Sequence, residues 1–122
     1  MDNPPKTNPR ILIVEDEPMV AIDTEQALTE VGFSIAGVAY SLETALHLVA
    51  GGGFDAVILD ANLKGLSAAP VAEALTALGL PFVVTTGYAL NQRPEGLLSA
   101  PYLRKPYRPA ELVRALEQIL TP

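Results

Sequence analysis

Short apolar runs that alternate with helical patterns restrict the fold of this chain more than any other feature. Runs rich in Val, Ile, Leu and Phe predict strands at 11–14, 33–39, 56–59, 82–84 and 102–103. The runs at 11–14 and 56–59 show no polar–apolar alternation, which is typical of strands buried on both faces. Such strands need a covering layer on each side of their sheet.

Helix start signals lie between the predicted strands. Pro18, Pro70 and Pro109 suit the first turn of a helix, and Ser41 is a plausible N-cap. Apolar side chains follow each start at helical spacing. These stripes are Val20, Thr24, Ala27, Leu28 and Val31; Leu42, Ala45, Leu46 and Val49; Val71, Ala74, Leu75 and Leu78; and Leu112, Ala115, Leu116, Ile119 and Leu120.

This alternation of strands and helices predicts an α/β fold with a five-stranded, doubly wound parallel sheet. Right-handed crossovers leave few topologies, and we expect the flavodoxin-like strand order 2-1-3-4-5. The segment 88–100 should supply the fourth helix, but Pro94, Gly96 and Pro101 interrupt it. We therefore expect a reduced fourth helix of one or two turns.

Length and composition indicate a single domain and exclude several classes of protein. The chain has 122 residues, of which 49% are hydrophobic, and it has no cysteine, so a disulfide scaffold and a thiol nucleophile are excluded. The net charge of −6 argues against binding to nucleic acid. The sequence shows neither a membrane span nor a secretory signal, so we expect a cytoplasmic protein. Residues 1–9 read as a flexible arm and residues 10–122 as the domain.

Polar residues follow the predicted strands where those strands end. Glu15 and Asp16 follow the first strand, Asp60 the third and Lys105 the fifth, while Thr86 closes the fourth. Because ligands of open parallel sheets bind beyond the carboxyl ends of the strands, we expect these side chains to converge.

Three carboxylates this close together repel one another, and a divalent cation would relieve the repulsion. Hard oxygen ligands supplemented by water favour Mg²⁺. We expect Asp16 and Asp60 as direct ligands, the Asn62 backbone carbonyl as a third, and Glu15 as a ligand through water.

A carboxylate beside Mg²⁺ and a lysine can act as a nucleophile toward a phosphoryl group. Asp60 is the best candidate because it lies at the point where the strand order reverses. Lys105 and the Thr86 hydroxyl would then contact phosphoryl oxygens.

Each of these residues also has an ordinary structural interpretation. Glu15 and Asp16 could be acids at a helix N-terminus, Asp60 a turn residue and Lys105 an exposed base. Thr86 could be an ordinary strand-end threonine. Only their combination favours a site.

The sequence resembles the receiver domain of two-component response regulators over residues 10–120. The motifs that carry the resemblance, in chain order, are ILIVEDE, DAVILDANL, PFVVTTGY and YLRKPY. The resemblance implies that Glu15 and Asp16 are the acidic pair, Asp60 the phosphoacceptor, and Lys105 the essential lysine, in a cis peptide bond with Pro106. It also implies that Thr86 and Tyr102 form a switch pair.

The sequence departs from the pattern of that family at several positions. Lys64 replaces the common proline four residues after the phosphoacceptor, and Ala68 replaces a common glycine. PFVVTTGY is similar to the FAT GUY subgroup of stand-alone receivers, from which Val84 and Thr85 differ. That subgroup is associated with phosphorelays of the bacterial general stress response.

The resemblance implies a single-domain response regulator that takes a phosphoryl group from a histidine kinase or a histidine phosphotransfer protein. It would act by protein–protein interaction or as a relay intermediate, and would not be a multiple-turnover enzyme. One alternative is a small phosphatase with an aspartyl-phosphate intermediate, although Asn62 stands where such an enzyme usually has a general acid. The other alternative is a receiver-like module that binds partners without phosphorylation.

Overall fold

The computed structural model describes residues 8–87 and 100–121. The strands are β1 (Arg10–Val14), β2 (Ser34–Ala39), β3 (Ala56–Asp60), β4 (Asn62–Leu63), β5 (Leu66–Ser67), β6 (Phe82–Thr86) and β7 (Tyr102–Arg104). The helices of the described part are α1 (Pro18–Glu30), α2 (Leu42–Gly51), α3 (Ala69–Leu78) and α4 (Pro109–Leu120).

Five strands form one parallel sheet in the order β2-β1-β3-β6-β7. Counted without the small β4–β5 hairpin, this is the predicted order 2-1-3-4-5, so the predicted α/β flavodoxin-like fold is confirmed. β1 and β3 are neighbours in the sheet although α1, β2 and α2 separate them in sequence. This neighbourhood places the carboxyl ends of β1 and β3 side by side.

Two apolar layers cover the two faces of the sheet. On one face, β1 and β3 side chains such as Leu12 and Leu59 pack with Val49 of α2 and Leu75 of α3. The alternate strand residues pack on the other face, with side chains from α1 and α4, and the main members of that layer are Ile11, Ile13, Ile58, Val83, Leu28, Leu112 and Leu116. Burial on both faces explains the unbroken apolar runs of the central strands.

The helix starts predicted from the sequence are confirmed to within one residue. α1 begins at Pro18, α4 begins at Pro109, and α3 begins at Ala69, one residue before Pro70. Two expected core positions are wrong, since Val31 and Leu78 are more than half exposed. Both lie where a helix ends, at the C-cap of α1 and the last residue of α3, where the stripe has turned away from the sheet.

Ser41 is the N-cap of α2, as predicted. Its hydroxyl oxygen accepts a hydrogen bond from the Thr44 amide at 3.2 Å. We expect Ser41→Ala to lower the free energy of unfolding by about 1 kcal/mol, because the amide loses this acceptor. Urea denaturation measures the change. Ser41→Asn, which keeps a capping oxygen, is the matched control, and equal stability of the alanine and asparagine variants would contradict the prediction.

Two predicted segments lie outside or partly outside the described residues. The expected reduced fourth helix falls on 88–100, of which only Ala100 is described, and most of the expected arm at 1–9 falls on residues 1–7. At the described end of that arm, the Pro9 carbonyl accepts a hydrogen bond from the Ser34 amide at 2.9 Å. Within 8–87 and 100–121, no helix is both long and apolar enough to cross a membrane.

The β4–β5 hairpin was not predicted from the sequence. Asn62 pairs with Ser67 and Leu63 with Leu66, and the two residues between them, Lys64 and Gly65, form the turn. Strands of two residues are too short to produce a periodic pattern, and Gly65 alone is a weak turn signal. The hairpin begins two residues after Asp60 and therefore borders the site.

Candidate functional site

Two neighbouring strands bring three carboxylates to one edge of the sheet. Glu15 and Asp16 follow β1, and Asp60 is the last residue of β3. The Glu15 amide donates to the Ala39 carbonyl at 2.9 Å, which extends the β1–β2 pairing by one residue. Glu15 and Asp60 are buried, with 4% and 5% of their surface exposed, while Asp16 is half-buried. The predicted convergence of these three residues is confirmed.

Lys105 bridges the two buried carboxylates. Its Nζ lies 2.9 Å from Glu15 Oε1 and 3.0 Å from Asp60 Oδ2. The lysine follows β7, and its amide donates to the Thr86 carbonyl at 2.7 Å, which fixes its backbone beside the end of β6. The ammonium therefore offsets two negative charges that would otherwise lie unpaired in a site of low exposure.

Backbone amides bind the other oxygens of the cluster. The Glu17 amide donates to Glu15 Oε2 at 3.1 Å, and the Asn62 amide donates to Asp60 Oδ1 at 3.1 Å. Asp16 Oδ2 accepts from the Lys64 amide at 2.8 Å. Each carboxylate is thus held by an amide of the loop or hairpin next to it.

The charges of the cluster shift the pKa values of its members. Burial raises the pKa of the Glu15 carboxyl from 4.5 to about 7, against the lowering effect of the hydrogen bond from Lys105, and the Asp60 carboxylate adds to the rise. Burial lowers the pKa of Lys105, but the bonds to Glu15 and Asp60 outweigh it and raise the pKa above its ordinary value. For Asp16, burial raises the pKa, and the hydrogen bond from the Lys64 amide helps to bring it below the ordinary value.

The three carboxylates could hold a metal ion. One oxygen from each of Glu15, Asp16 and Asp60 lies within 4.8 Å of the other two. An all-oxygen, carboxylate-rich donor set is suited to a hard divalent cation such as Mg²⁺. Asn62 lies two residues after Asp60, and its backbone carbonyl stays the predicted further ligand atom. Its side-chain oxygen accepts a hydrogen bond from the Gly65 amide at 2.9 Å.

Thr86 and Tyr102 lie on neighbouring strands next to the cluster. Thr86 is buried at the end of β6 and pairs in register with Arg104 of β7. Tyr102 is half-buried and packs against the apolar layer formed with α2 and α3. Thr86 points to the same face of the sheet as Val84, a member of that layer, because side chains alternate along a strand. Both residues are therefore associated with one face, and their role as a switch pair stays a prediction.

Sequence reasoning missed two contacts that border the cluster. One is the Lys64 amide on Asp16, which depends on the unpredicted hairpin. The other is a hydrogen bond between Tyr107 and Thr24, a buried polar residue of α1, and burial raises the pKa of the Tyr107 hydroxyl. YLRKPY contains Tyr107 but carries no signal for its partner. The Lys105–Pro106 bond is cis, as the resemblance implied.

Comparison with known proteins gives the same assignment as the geometry. The model of the response regulator receiver domain family matches residues 11–117. The transcriptional regulatory protein TcrA of Mycobacterium tuberculosis is 36% identical over 115 residues, which cover 90% of this chain and 45% of TcrA. The chain spans about half the length of the curated relatives it matches.

Solved structures with the same fold include two informative neighbours. The solution structure of SdrG from Sphingomonas melonis Fr1 is 38% identical with a TM-score of 0.82, and the match covers 95% of this chain and 99% of that one. The response regulator TrrA of Thermotoga maritima, in complex with Mg²⁺ and BeF, is 29% identical with a TM-score of 0.81, covering 92% and 99%. The match to the family model, the sheet order and the acidic cluster with Lys105 all agree, and this chain belongs to the response regulator receiver domain family.

Proposed function

We propose that the chain acts as a single-domain response regulator whose Asp60 accepts a phosphoryl group from a histidine kinase or a histidine phosphotransfer protein. The observation that carries this proposal is the contact of Lys105 Nζ with Glu15 and Asp60 at 2.9 and 3.0 Å. A carboxylate nucleophile, a paired ammonium and two further acids are the groups that phosphoryl transfer to a carboxylate needs.

The chemical step forms one bond and breaks one. A carboxylate oxygen of Asp60 attacks the phosphorus of a phosphohistidine as the phosphorus–nitrogen bond breaks. The imidazole nitrogen leaves with the electron pair, and Asp60 becomes an acyl phosphate. Lys105 then offsets part of the added negative charge, and the Thr86 hydroxyl donates to a phosphoryl oxygen.

Mg²⁺ would be held by Asp16 and Asp60, by the backbone carbonyl of Asn62, and by Glu15 through water. When bound, it supplies positive charge that offsets the charge of the phosphoryl oxygens. The fit is supported by the donor set of the cluster. The amides of Glu17, Asn62 and Lys64 keep its carboxylates oriented.

The signal would leave the site through Thr86 and Tyr102. Phosphorylation adds charge beside Thr86, so the hydroxyl gains a partner near Asp60, and the Tyr102 ring then occupies a different position. The output is a change in protein binding or onward transfer to a further relay protein. The half-buried position of Tyr102 supports this role, because such a ring can move without opening the core.

A groove beside the site supports docking of the phosphodonor protein. It has a volume of about 560 Å³, lies next to Lys105 and is mainly apolar. α1 contributes Val20 and Ala27, and the segment after β7 contributes Tyr107 and Pro109. A segment of the donor protein bound there would lie beside Lys105, which contacts Glu15 and Asp60.

We infer that the protein is a phosphoryl acceptor rather than a multiple-turnover phosphatase. Asn62 lies two residues after Asp60, where such a phosphatase has a general acid. The side-chain carboxamide of Asn62 cannot act as a general acid, and its oxygen accepts a hydrogen bond from the Gly65 amide. Membership of the FAT GUY subgroup, and with it a place in a stress-response phosphorelay, stays a prediction from PFVVTTGY.

The proposal is tested by incubating the protein with acetyl phosphate and MgCl₂ and measuring its intact mass. We expect a gain of one phosphoryl group, and loss of that gain when EDTA removes Mg²⁺, because the acidic cluster then repels the donor. Re-addition of excess MgCl₂ should restore labelling. An unchanged mass with MgCl₂ would contradict the proposal, and equal labelling in EDTA would contradict its metal dependence.

A further inference from the structure

β2 forms the outer edge of the sheet and carries little that would keep another strand away from it. Within the described residues, it pairs with β1 alone. Its sequence, SIAGVA, contains no charged residue and no proline, which are common protections of an exposed strand edge. A bulge at Ala36 shifts the register between β2 and β1 and bends the strand. On both sides of this bulge, the outer edge of β2 is open to a further strand.

The hydrogen bonds of β2 show which of its backbone groups point to this outer edge. The amide of Ser34 and the carbonyl of Ala39 both bond to the β1 side of the strand, each at 2.9 Å. Backbone groups alternate in direction along a strand, so Ile35 and Val38 present their N–H and C=O groups to the outer edge. Two residues of β2 are therefore placed to form backbone hydrogen bonds with an added strand.

A groove runs beside the first half of the outer edge. It has a volume of about 750 Å³, with α1 as one wall and residues 33–35 as the other. Phe33 and Ile35 are half-buried and offer apolar contact there. The charged residues that line the groove are Glu25 and Glu30, and α1 contains no basic residue. The groove thus combines an open strand edge with apolar surface and negative charge.

We propose that the outer edge of β2 binds a basic, extended segment of a partner protein, which adds a strand to the sheet. The backbone groups of Ile35 and Val38 would form hydrogen bonds with the segment, and Glu25 and Glu30 would pair with its Lys or Arg side chains. The acids also decide against a second copy of this chain, which would bring the same negative wall and the same net charge of −6 to the interface. A flexible segment can follow the bend at the bulge, which suits the edge of a second folded sheet less well.

Titration with two synthetic peptides, followed by NMR, tests the pairing. One peptide is Lys-Val-Lys-Val-Lys-Val, which places its lysines on one face of a strand, and the other has Glu in place of each Lys. We expect the lysine peptide to shift the Ile35 and Val38 amide resonances and to slow their hydrogen exchange about fivefold or more. The Ser34 amide, which already bonds within the sheet, should change little, and the glutamate peptide should leave all three unchanged. Unchanged exchange at Ile35 and Val38 with millimolar lysine peptide would overturn the proposal.

The contribution of the acidic wall is tested by the double variant Glu25→Gln, Glu30→Gln. Its matched control is Glu73→Gln, Glu117→Gln, which removes two exposed acids from α3 and α4 and changes the net charge equally. We expect the first variant to bind the lysine peptide about fivefold more weakly, as for the loss of two exposed ion pairs, and the control to bind it like the wild type. Equal affinities of the two double variants would overturn the proposal, because attraction would then depend on net charge alone.

These readouts distinguish the outer edge of β2 from phosphoryl transfer and from self-association. The groove includes no member of the acidic cluster of Glu15, Asp16 and Asp60, so peptide binding is measured whether or not Asp60 accepts a phosphoryl group. Sedimentation of the free protein at the concentration used for NMR should show a monomer. A dimer whose Ile35 and Val38 amides are protected without peptide would overturn the choice of a partner protein over a second copy.

Discussion

Replacement of Lys105 by methionine is expected to lower both the rate of phosphoryl acceptance and the free energy of unfolding. The ammonium lies within 3.0 Å of two buried carboxylates, and its removal deprives both of this partner. Loss of a group that stabilises developing charge slows such reactions by about 100-fold. We expect a similar loss in the rate of labelling by acetyl phosphate at saturating Mg²⁺.

The stability part of this prediction follows from the burial of the partners. Breaking a fully buried ion pair costs about 3–5 kcal/mol, and a quarter of the Lys105 side chain is exposed, which reduces the cost. We expect the free energy of unfolding in metal-free urea denaturation to fall by about 2 kcal/mol. Arg114→Met, on the exposed face of α4, is the control for loss of one positive charge. Equal stability of the two variants would contradict the structural role of Lys105.

Replacement of Asp60 by alanine is expected to abolish labelling completely. Asp60 is the carboxylate that lies centrally, at the end of β3, with one oxygen on Lys105 and the other on the Asn62 amide. Glu15 and Asp16 remain in this variant, so two of the three carboxylates that could bind Mg²⁺ are kept. Only the nucleophile is removed, and labelling should therefore be lost. Intact mass after incubation with acetyl phosphate and MgCl₂ measures the effect.

The matched control for this variant is Glu73→Gln, which removes one exposed carboxylate from α3. It should be labelled like the wild type, since Glu73 is an exposed residue of α3 and not a member of the acidic cluster. Labelling of Asp60→Ala at the wild-type level would mean that another residue is the acceptor.

The sequence predicted the sheet and the cluster because two strong physical constraints act on it. Strands buried on both faces must be continuously apolar, as 11–14 and 56–59 are, and parallel strands place their carboxyl ends at one edge. The convergence of Glu15, Asp60 and Lys105 follows from these rules and the strand order. The ion pairs at 2.9 and 3.0 Å are consequences of the same arrangement.

Other features depend on contacts that local sequence does not encode. The hairpin around Lys64 places a lysine at positive φ, against its own preference, and is held by Asp16, 48 residues away. The bond between Thr24 and Tyr107 likewise joins two elements far apart in sequence. The exposure of Val31 and Leu78 depends on where each helix ends relative to the sheet, which the apolar spacing alone does not specify.

The most direct test of Asp60 as the phosphoacceptor is to locate the phosphoryl group on the wild-type protein. After incubation with acetyl phosphate and MgCl₂, borohydride reduction converts an acyl phosphate on aspartate to homoserine, and peptide mass spectrometry identifies the position. We expect homoserine at position 60 and no reduction product in the sample treated with EDTA. Homoserine at another aspartate, or a phosphoryl group retained on His47, would contradict it.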